Sequence, residues 1–200
     1  MNKDIVITVS RQYGSGGREL CNILANRLGV KLYDSQIIDL VAEKMGLENM
    51  SQGDIKKLGE RIAPTSLKFM PFQIFGIGGN KPLNNKFFEI EAKVIDKIAN
   101  EGSCIILGRC ADFVLKNKKN VFSFYIHADD DFRTERGKNV YEGKTLAELK
   151  HEDKKRAEYY LYYTGRKWGD AKNYDLCINT SKISLEEAAD LIIDYVKKSK

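Results

Sequence analysis

Short, mostly apolar runs alternate along the chain with longer segments in which apolar residues recur at helical spacing. The runs predict five strands, at Ile5–Val9, Lys31–Tyr33, Cys104–Leu107, Val121–Ile126 and Asp175–Ile178. The periodic segments predict helices at Gly17–Leu28, from a Ser35 cap to Met45, and at Ser51–Arg61, Asn85–Asn100 and Thr145–Tyr163, with a last helix opened by a Ser184 capping box. Strands that alternate with helices indicate an α/β fold, with a five-stranded parallel sheet flanked by helices.

A glycine-rich turn, Gly14-Ser15-Gly16-Gly17, joins the first predicted strand to the first helix. Consecutive N–H groups in such a turn, together with the positive end of a helix, can hold a phosphate. The spacing is almost that of the phosphate loop, G-x-x-x-x-G-K-[ST]. Arg11 stands in place of the first glycine, Gly17 in place of the lysine, and Arg18 in place of the Mg²⁺-binding hydroxyl. The turn therefore predicts a donor-phosphate site in which another cation replaces the lysine.

Two arginines are candidates for that cation. Arg18 lies one residue after the lysine position, and Arg11 lies at the start of the loop. Either could neutralise phosphate charge, although an arginine fork is larger and stiffer than a lysine ammonium. Glu19, in the first helical turn, is either a Mg²⁺ ligand or a compensation for the helix dipole. The sequence leaves both questions open.

Polar residues follow several predicted strands at the edge where ligands of parallel sheets bind. They include Tyr33-Asp34, Gly108-Arg109 and His127–Asp130. Arg109 directly follows a fully apolar strand, so we expect it to contact a phosphate or a base. The alternative is a structural ion pair with a carboxylate such as Asp112.

Charged residues at helical spacing mark the region after the fourth strand. They are Arg133, Arg136, Asp153, Arg156 and Arg166. A solvated helix face is the simplest explanation. Phosphoryl transfer, however, needs cations around the transferring group, and a closing segment can supply them while it excludes water. We therefore expect some members of this set in the site.

Composition and charge only weakly restrict the classes of molecule that this protein could bind. The 200 residues carry a net charge of +5, which favours anionic partners, either nucleotides or nucleic acid. The four cysteines lack C-x-x-C spacing and the two histidines are isolated, so neither residue type suggests a metal site. We expect a cytoplasmic protein without membrane contact, because the chain has neither an apolar signal segment nor a run of about 18–20 apolar residues.

Two aromatic or apolar segments allow further interpretations. Tyr159–Tyr163, followed by Arg166-Lys-Trp168, could form a nucleic-acid surface, but tyrosines at helical spacing more often pack against a core. Nucleic acid is therefore an unfavoured partner. Leu67–Gly79 is unusually apolar for a loop and could cover an acceptor site or form a homodimer contact.

Over nearly its whole length the chain resembles bacterial cytidylate kinases, and more closely the divergent cytidylate-kinase-like proteins. The motifs that carry the resemblance are Ser10–Glu19, Tyr33–Ser35, Gly108-Arg109, Ile126–Arg136, Asp153–Arg156 and Tyr174–Thr180. Each motif is short, but their order and spacing together are fairly specific.

The resemblance implies a nucleoside monophosphate kinase of the phosphate-loop type, which transfers phosphate from Mg·ATP to CMP or dCMP. Residues 1–200 would form one domain, with an inserted acceptor-binding region at 36–84 and a lid at 130–170. The donor site would comprise Arg11, Gly14, Ser15, Gly16, Gly17, Arg18 and Glu19. The acceptor would contact Asp34, Ser35, Arg109 and Asp153. Arg18, Arg133, Arg136, Arg156 and Arg166 would stabilise the transferring phosphoryl group.

The chain departs from the family pattern in three places. The loop lysine is absent, the acceptor-phosphate arginine maps near Leu40, and the cytosine-reading aspartate maps to Cys110. The alternatives to a cytidylate kinase are therefore a catalytically weak nucleotide sensor or regulatory protein, and a kinase of another small molecule.

Overall fold

Five parallel strands form the sheet in the computed structural model of the protein, which describes residues 4–44 and 83–199. They are β1 Val6–Arg11, β2 Lys31–Tyr33, β3 Cys104–Leu107, β4 Val121–His127 and β5 Leu176–Asn179. Their order across the sheet is β2-β3-β1-β4-β5, with every neighbouring pair parallel. The predicted five-stranded parallel sheet is confirmed.

Helices connect these strands and cover both faces of the sheet. They are α1 Gly17–Leu28, α2 Gln36–Lys44, α3 Leu83–Glu101, α4 Ala111–Val114, α5 Asp130–Val140, α6 Leu146–Thr164 and α7 Leu185–Lys198, with a 3₁₀ turn at Ala171–Asn173. Of the helices that the structure describes, none is long and apolar enough to cross a membrane. The predicted helix Ser51–Arg61 and the apolar segment Leu67–Gly79 lie outside the described residues.

The core has two layers because side chains alternate between the two faces of a strand. On one face Ile7 and Val9 of β1 pack with α1 and α7, for example against Leu24 and Ile192. On the other face Val6 packs with α2, α3 and α4. Burial of both sheet faces explains why β3, Cys104–Leu107, is apolar at every position.

Several element boundaries differ from the predictions for local reasons. Strand β1 continues to Arg11, because Ser10 and Arg11 pair with Tyr125 and Ile126 of β4. Arg11 is therefore the last residue of a strand, held by the sheet. The capping box at Ser184 is confirmed, and Thr145 forms a second one with Glu148 that opens α6.

Candidate functional site

The glycine-rich turn has a backbone that requires glycine. Gly14 has φ +82° and Gly16, the residue before α1, has φ +78°, in the left-handed region. The buried Ser15 fixes the turn, because its hydroxyl donates to the Gln12 carbonyl at 2.8 Å while its own carbonyl accepts from the Thr180 hydroxyl at 2.7 Å. The turn is thus hydrogen-bonded to Thr180, the residue after β5, and opens directly onto the N-terminus of α1.

Arg11 extends from the end of β1 beneath this turn. A Cβ added to Gly17 would lie 2.6 Å from the Arg11 Cβ, and one added to Gly108 would lie 2.5 Å from the Arg11 Nη1. The side chain therefore passes Gly17 and ends beside Gly108, just after β3. Its Nη2 lies 3.9 Å from Oδ1 of Asp34, after β2. Burial, with a contribution from nearby Arg156, lowers the pKa of Arg11 to about 10.

Arg18 takes a different direction. Its Nε donates to Oδ2 of Asp34 at 2.8 Å, and its Nη2 donates to the same oxygen. The side chain is 64% exposed, and the bond to Asp34 raises the pKa of Arg18. Asp34 therefore lies between the two arginines that the sequence left as candidates.

Asp153 of α6 joins the turn to the helices of the 130–170 region. Its Oδ1 accepts from the Tyr13 backbone N–H at 2.7 Å, and its Oδ2 accepts from Nη2 of Arg133 at 2.5 Å. The Nε of Arg133 donates to the Tyr13 carbonyl at 2.8 Å. Nη1 of Arg156 lies 3.4 Å from Oδ1 of Asp153 and donates to the Arg11 carbonyl at 3.1 Å. We call Tyr13, Arg133, Asp153 and Arg156 the loop latch.

The loop latch is mostly buried. The Arg133 side chain is 2% exposed and that of Asp153 is 12% exposed. Burial raises the pKa of Asp153 and lowers that of Arg156, in each case against the attraction of the opposite charge. The turn itself packs against the same helices, since a Cβ at Gly14 would lie 3.3 Å from the Arg133 Cβ.

Arg136 and Arg166 lie outside the latch. Arg136 of α5 pairs with Glu19 in the first turn of α1, and its buried Nε has no partner among the described residues. The Arg166 guanidinium carbon lies 5.2 Å from the centre of the Phe113 ring in α4. The structure thus brings Arg136 to the first turn of α1 and places Arg166 against α4. Ser35 is exposed just before α2.

Arg109 has a carboxylate partner that the sequence analysis missed. Its Nη1 lies 3.3 Å from Oε1 of Glu91, a fully buried residue of α3, whose Oε2 accepts from the Tyr159 hydroxyl at 2.7 Å. Asp112 accepts instead from the Tyr160 hydroxyl at 2.6 Å. A signal for Glu91 was present, since it shares the helical spacing of buried Phe87, Val94 and Ile98.

The buried Glu91 leads to a pH-dependent prediction. Burial raises its pKa above the ordinary 4.5, so the folded protein binds this proton more tightly than the unfolded chain. The stabilisation from this proton is complete below pH 4.5 and is lost as the pH rises through the folded-state pKa of Glu91. We expect urea unfolding from pH 4 to pH 8 to show Glu91→Gln gaining stability relative to the wild type as the pH rises. Glu101→Gln, at the exposed end of α3, is the control, and parallel curves for all three proteins would contradict the prediction.

Comparison with known proteins is consistent with this arrangement. A sequence profile described as the cytidylate kinase-like family matches residues 6–182. The chain belongs to the cytidylate kinase-like family. A cytidylate kinase from Sulfolobus acidocaldarius is 25% identical over 197 residues, which cover 96% of this chain and 94% of that protein.

Solved structures support the fold of this family member. A crystal structure of an uncharacterized protein from Eubacterium ventriosum superposes with a TM-score of 0.68 and 27% identity, covering 96% of this chain and 98% of that one. A shikimate kinase from Acinetobacter baumannii, in complex with shikimate, gives a TM-score of 0.55 at 14% identity, covering 100% and 96%. The cytidylate kinase-like chain therefore has the fold of phosphate-loop kinases.

Proposed function

We propose that this cytidylate kinase-like protein transfers the γ-phosphoryl group of Mg·ATP to a nucleoside monophosphate, nominally CMP or dCMP. The observation that carries the proposal is the convergence of basic side chains on one glycine-rich turn. Arg11 ends the strand before the turn and Arg18 lies in α1 directly after it, while Arg133, Arg136 and Arg156 come from the helices packed beside it. The family membership and the name of the Sulfolobus relative support the same chemistry.

The donor site has the features that a triphosphate requires. Glycines at 14 and 16 let the turn's backbone approach an anion closely, and the first N–H groups of α1 lack intrahelical partners. Mg²⁺ on nucleotides usually takes most of its ligands from phosphates and water and only one or two carboxylates from the protein. Glu19 and Asp34 are the carboxylates beside the turn that fit this requirement. When bound, the ion would neutralise charge on the phosphates.

The reaction needs no covalent intermediate with the protein. An acceptor phosphate oxygen forms a bond to the γ-phosphorus, while the bond from that phosphorus to the β–γ bridging oxygen breaks and ADP leaves. The surrounding guanidinium groups stabilise the charge spread over the transferring oxygens. Arg109, 28% exposed at the end of β3, is the basic group proposed for the acceptor. Residues 130–170, which include α5 and α6, are proposed as the lid of a single domain.

A nucleotide sensor is the second candidate, and one observation favours it. Arg133 and Arg156 already share the carboxylate of Asp153. A protein in which those arginines stayed paired would bind a nucleotide without stabilising the transfer.

Cys110, buried where the family has its cytosine-reading aspartate, favours instead a kinase of another acceptor. The acceptor-binding region at 36–84 lies mostly outside the described residues, as does the proposed homodimer contact.

An acceptor panel distinguishes these candidates. The purified protein is incubated with Mg·ATP and, separately, CMP, dCMP, UMP, AMP, GMP or shikimate, and the products are resolved by chromatography. We expect acceptor-dependent ADP, with CDP or dCDP in matching amounts. Phosphoshikimate, or a nucleoside diphosphate other than CDP or dCDP, would identify a different acceptor. Bound ATP without any product would contradict the proposed activity and favour a sensor.

A further inference from the structure

Compared with an ordinary phosphate loop, the chain has its glycine and its cation at exchanged positions. In the spacing G-x-x-x-x-G-K-[ST] the first position is glycine and the seventh is lysine. Here the first position is Arg11 and the seventh is Gly17. The positive side chain has moved from the first turn of the helix to the end of the strand.

The geometry points to Arg11 as the donor-phosphate cation of this chain, in place of the loop lysine. This inference rests on the proposed function and names one residue of its donor site. The arginine starts in β1, passes the position where the lysine would begin, and ends at the carboxyl edge of the sheet.

A side chain at position 17 and the Arg11 side chain cannot occupy the same space. A Cβ at Gly17 would lie 2.6 Å from the Arg11 Cβ and 2.9 Å from its Cγ, which is closer than such atoms can approach. Gly17 lies in α1 and is not among the positive-φ glycines, so its backbone alone would accept any residue. Glycine is needed at 17 because the Arg11 stem occupies the space. Gly108 has φ +79°, which by itself favours glycine, and it borders the guanidinium end, where a Cβ would lie 2.5 Å from Nη1.

The Arg11 guanidinium also lacks a close counter-charge. Within the described residues its ion pair is with Asp34 at 3.9 Å, whereas Arg18 is in direct hydrogen-bond contact with that carboxylate. Arg156 and Arg109 are positive neighbours that oppose its charge. Arg11, Arg109 and Arg156 thus lie near one edge of the sheet, and Arg11 is 20% exposed with its ion pair at 3.9 Å. A phosphate anion would supply the negative charge that this group of arginines lacks.

Arg18 fits the role less well. Its side chain is 64% exposed and both of its bonds to Asp34 turn it toward the end of β2. An exposed, already paired guanidinium contributes less to binding than a partly buried one, because solvent screens its charge.

An exchange experiment tests the inference through ATP binding alone. Dissociation constants for Mg·ATP and for adenosine are measured by calorimetry for Arg11→Gln, Arg11→Gly, Gly17→Lys and the double variant Arg11→Gly/Gly17→Lys. We expect Arg11→Gln and Arg11→Gly to weaken ATP binding by at least about tenfold while adenosine binding changes little. Gly17→Lys alone should also weaken it, because its Cβ meets the Arg11 stem. The double variant, which places glycine at the first and lysine at the seventh loop position, should recover ATP affinity to within about threefold of the wild type.

Controls separate this inference from folding and from the proposed activity. Arg27→Ala, on the same helix as Gly17 but paired with Glu186 and Asp190, should bind ATP as the wild type does. Arg11→Gln keeps the stem over Gly17, so it tests the charge even if the glycine variants fold poorly. Unchanged ATP affinity in folded Arg11→Gln, or an equal or larger loss in Arg18→Ala, would overturn the inference. A wild type that binds ATP but phosphorylates nothing would contradict only the proposed activity.

Discussion

Replacing Asp153 with leucine should lower the free energy of unfolding by about 3–5 kcal/mol, because the change leaves buried positive charge without its partner. The carboxylate accepts from the Tyr13 N–H and from Arg133, and it also lies beside Arg156. Without it, the one ion pair of the 2%-exposed Arg133 that remains among the described residues is a 3.7 Å contact with Asp130. Urea unfolding without nucleotide measures the loss.

Two further variants show whether the loss comes from the buried pair. Asp153→Leu/Arg133→Met should recover much of the stability, since an apolar pair of similar volume removes the unpaired charge. Glu152→Leu, at the neighbouring position where the side chain is 37% exposed and pairs with Lys155, should change stability by about 0.5 kcal/mol or less. A loss below about 1 kcal/mol in Asp153→Leu would mean that the loop latch does not hold the turn. Asp153 would then act only on the acceptor.

Arg109→Ala should lower kcat/KM for the acceptor by at least about a hundredfold, or roughly 2.7 kcal/mol of transition-state stabilisation. The guanidinium lies at the edge of the sheet where ligands of parallel sheets bind, and Glu91 orients it from the buried side. The KM for ATP should change far less, because the donor phosphates are assigned to the turn. Steady-state kinetics at varied acceptor and saturating ATP measures the difference.

The partner of Arg109 provides the controls for this second prediction. Arg109→Gln keeps a donor for Glu91 but loses the charge, so it should lose acceptor use with little change in melting temperature. Tyr159→Phe removes the other hydrogen bond to Glu91 and leaves Arg109 in place. If Arg109→Ala retained normal acceptor kinetics and instead melted at a much lower temperature, Arg109 would be a structural residue.

The sheet could be predicted from the sequence because its signals are local. Each strand is a short, largely apolar run, and buried β3 is apolar at every position, as a strand covered on both faces must be. The Ser184 capping box marked the start of α7 correctly. The helices α4 and α5 gave weaker signals. α4 has only four residues and follows left-handed Gly108, Arg109 and Cys110, and α5 has no apolar stripe of its own.

The partners within the site could not be predicted, because they depend on contacts between distant parts of the chain. Asp153 binds the Tyr13 N–H across 140 positions, and Arg136 binds Glu19 across 117. The choice between Arg11 and Arg18 depends on the path of one side chain past Gly17 and Gly108, which sequence spacing does not contain. Glu91 could have been predicted, although it was missed, because a carboxylate within an apolar helix stripe indicates a buried polar contact.

Transfer of radiolabel from [γ-³²P]ATP tests the proposed phosphoryl transfer most directly. The wild-type protein is mixed in excess over labelled Mg·ATP, with and without the acceptors, and quenched within a single turnover. We expect the label to move into CDP or another phosphorylated acceptor only when that acceptor is present. Label that stays in ATP, or appears only as inorganic phosphate with every acceptor, would contradict phosphoryl transfer as the function of this site.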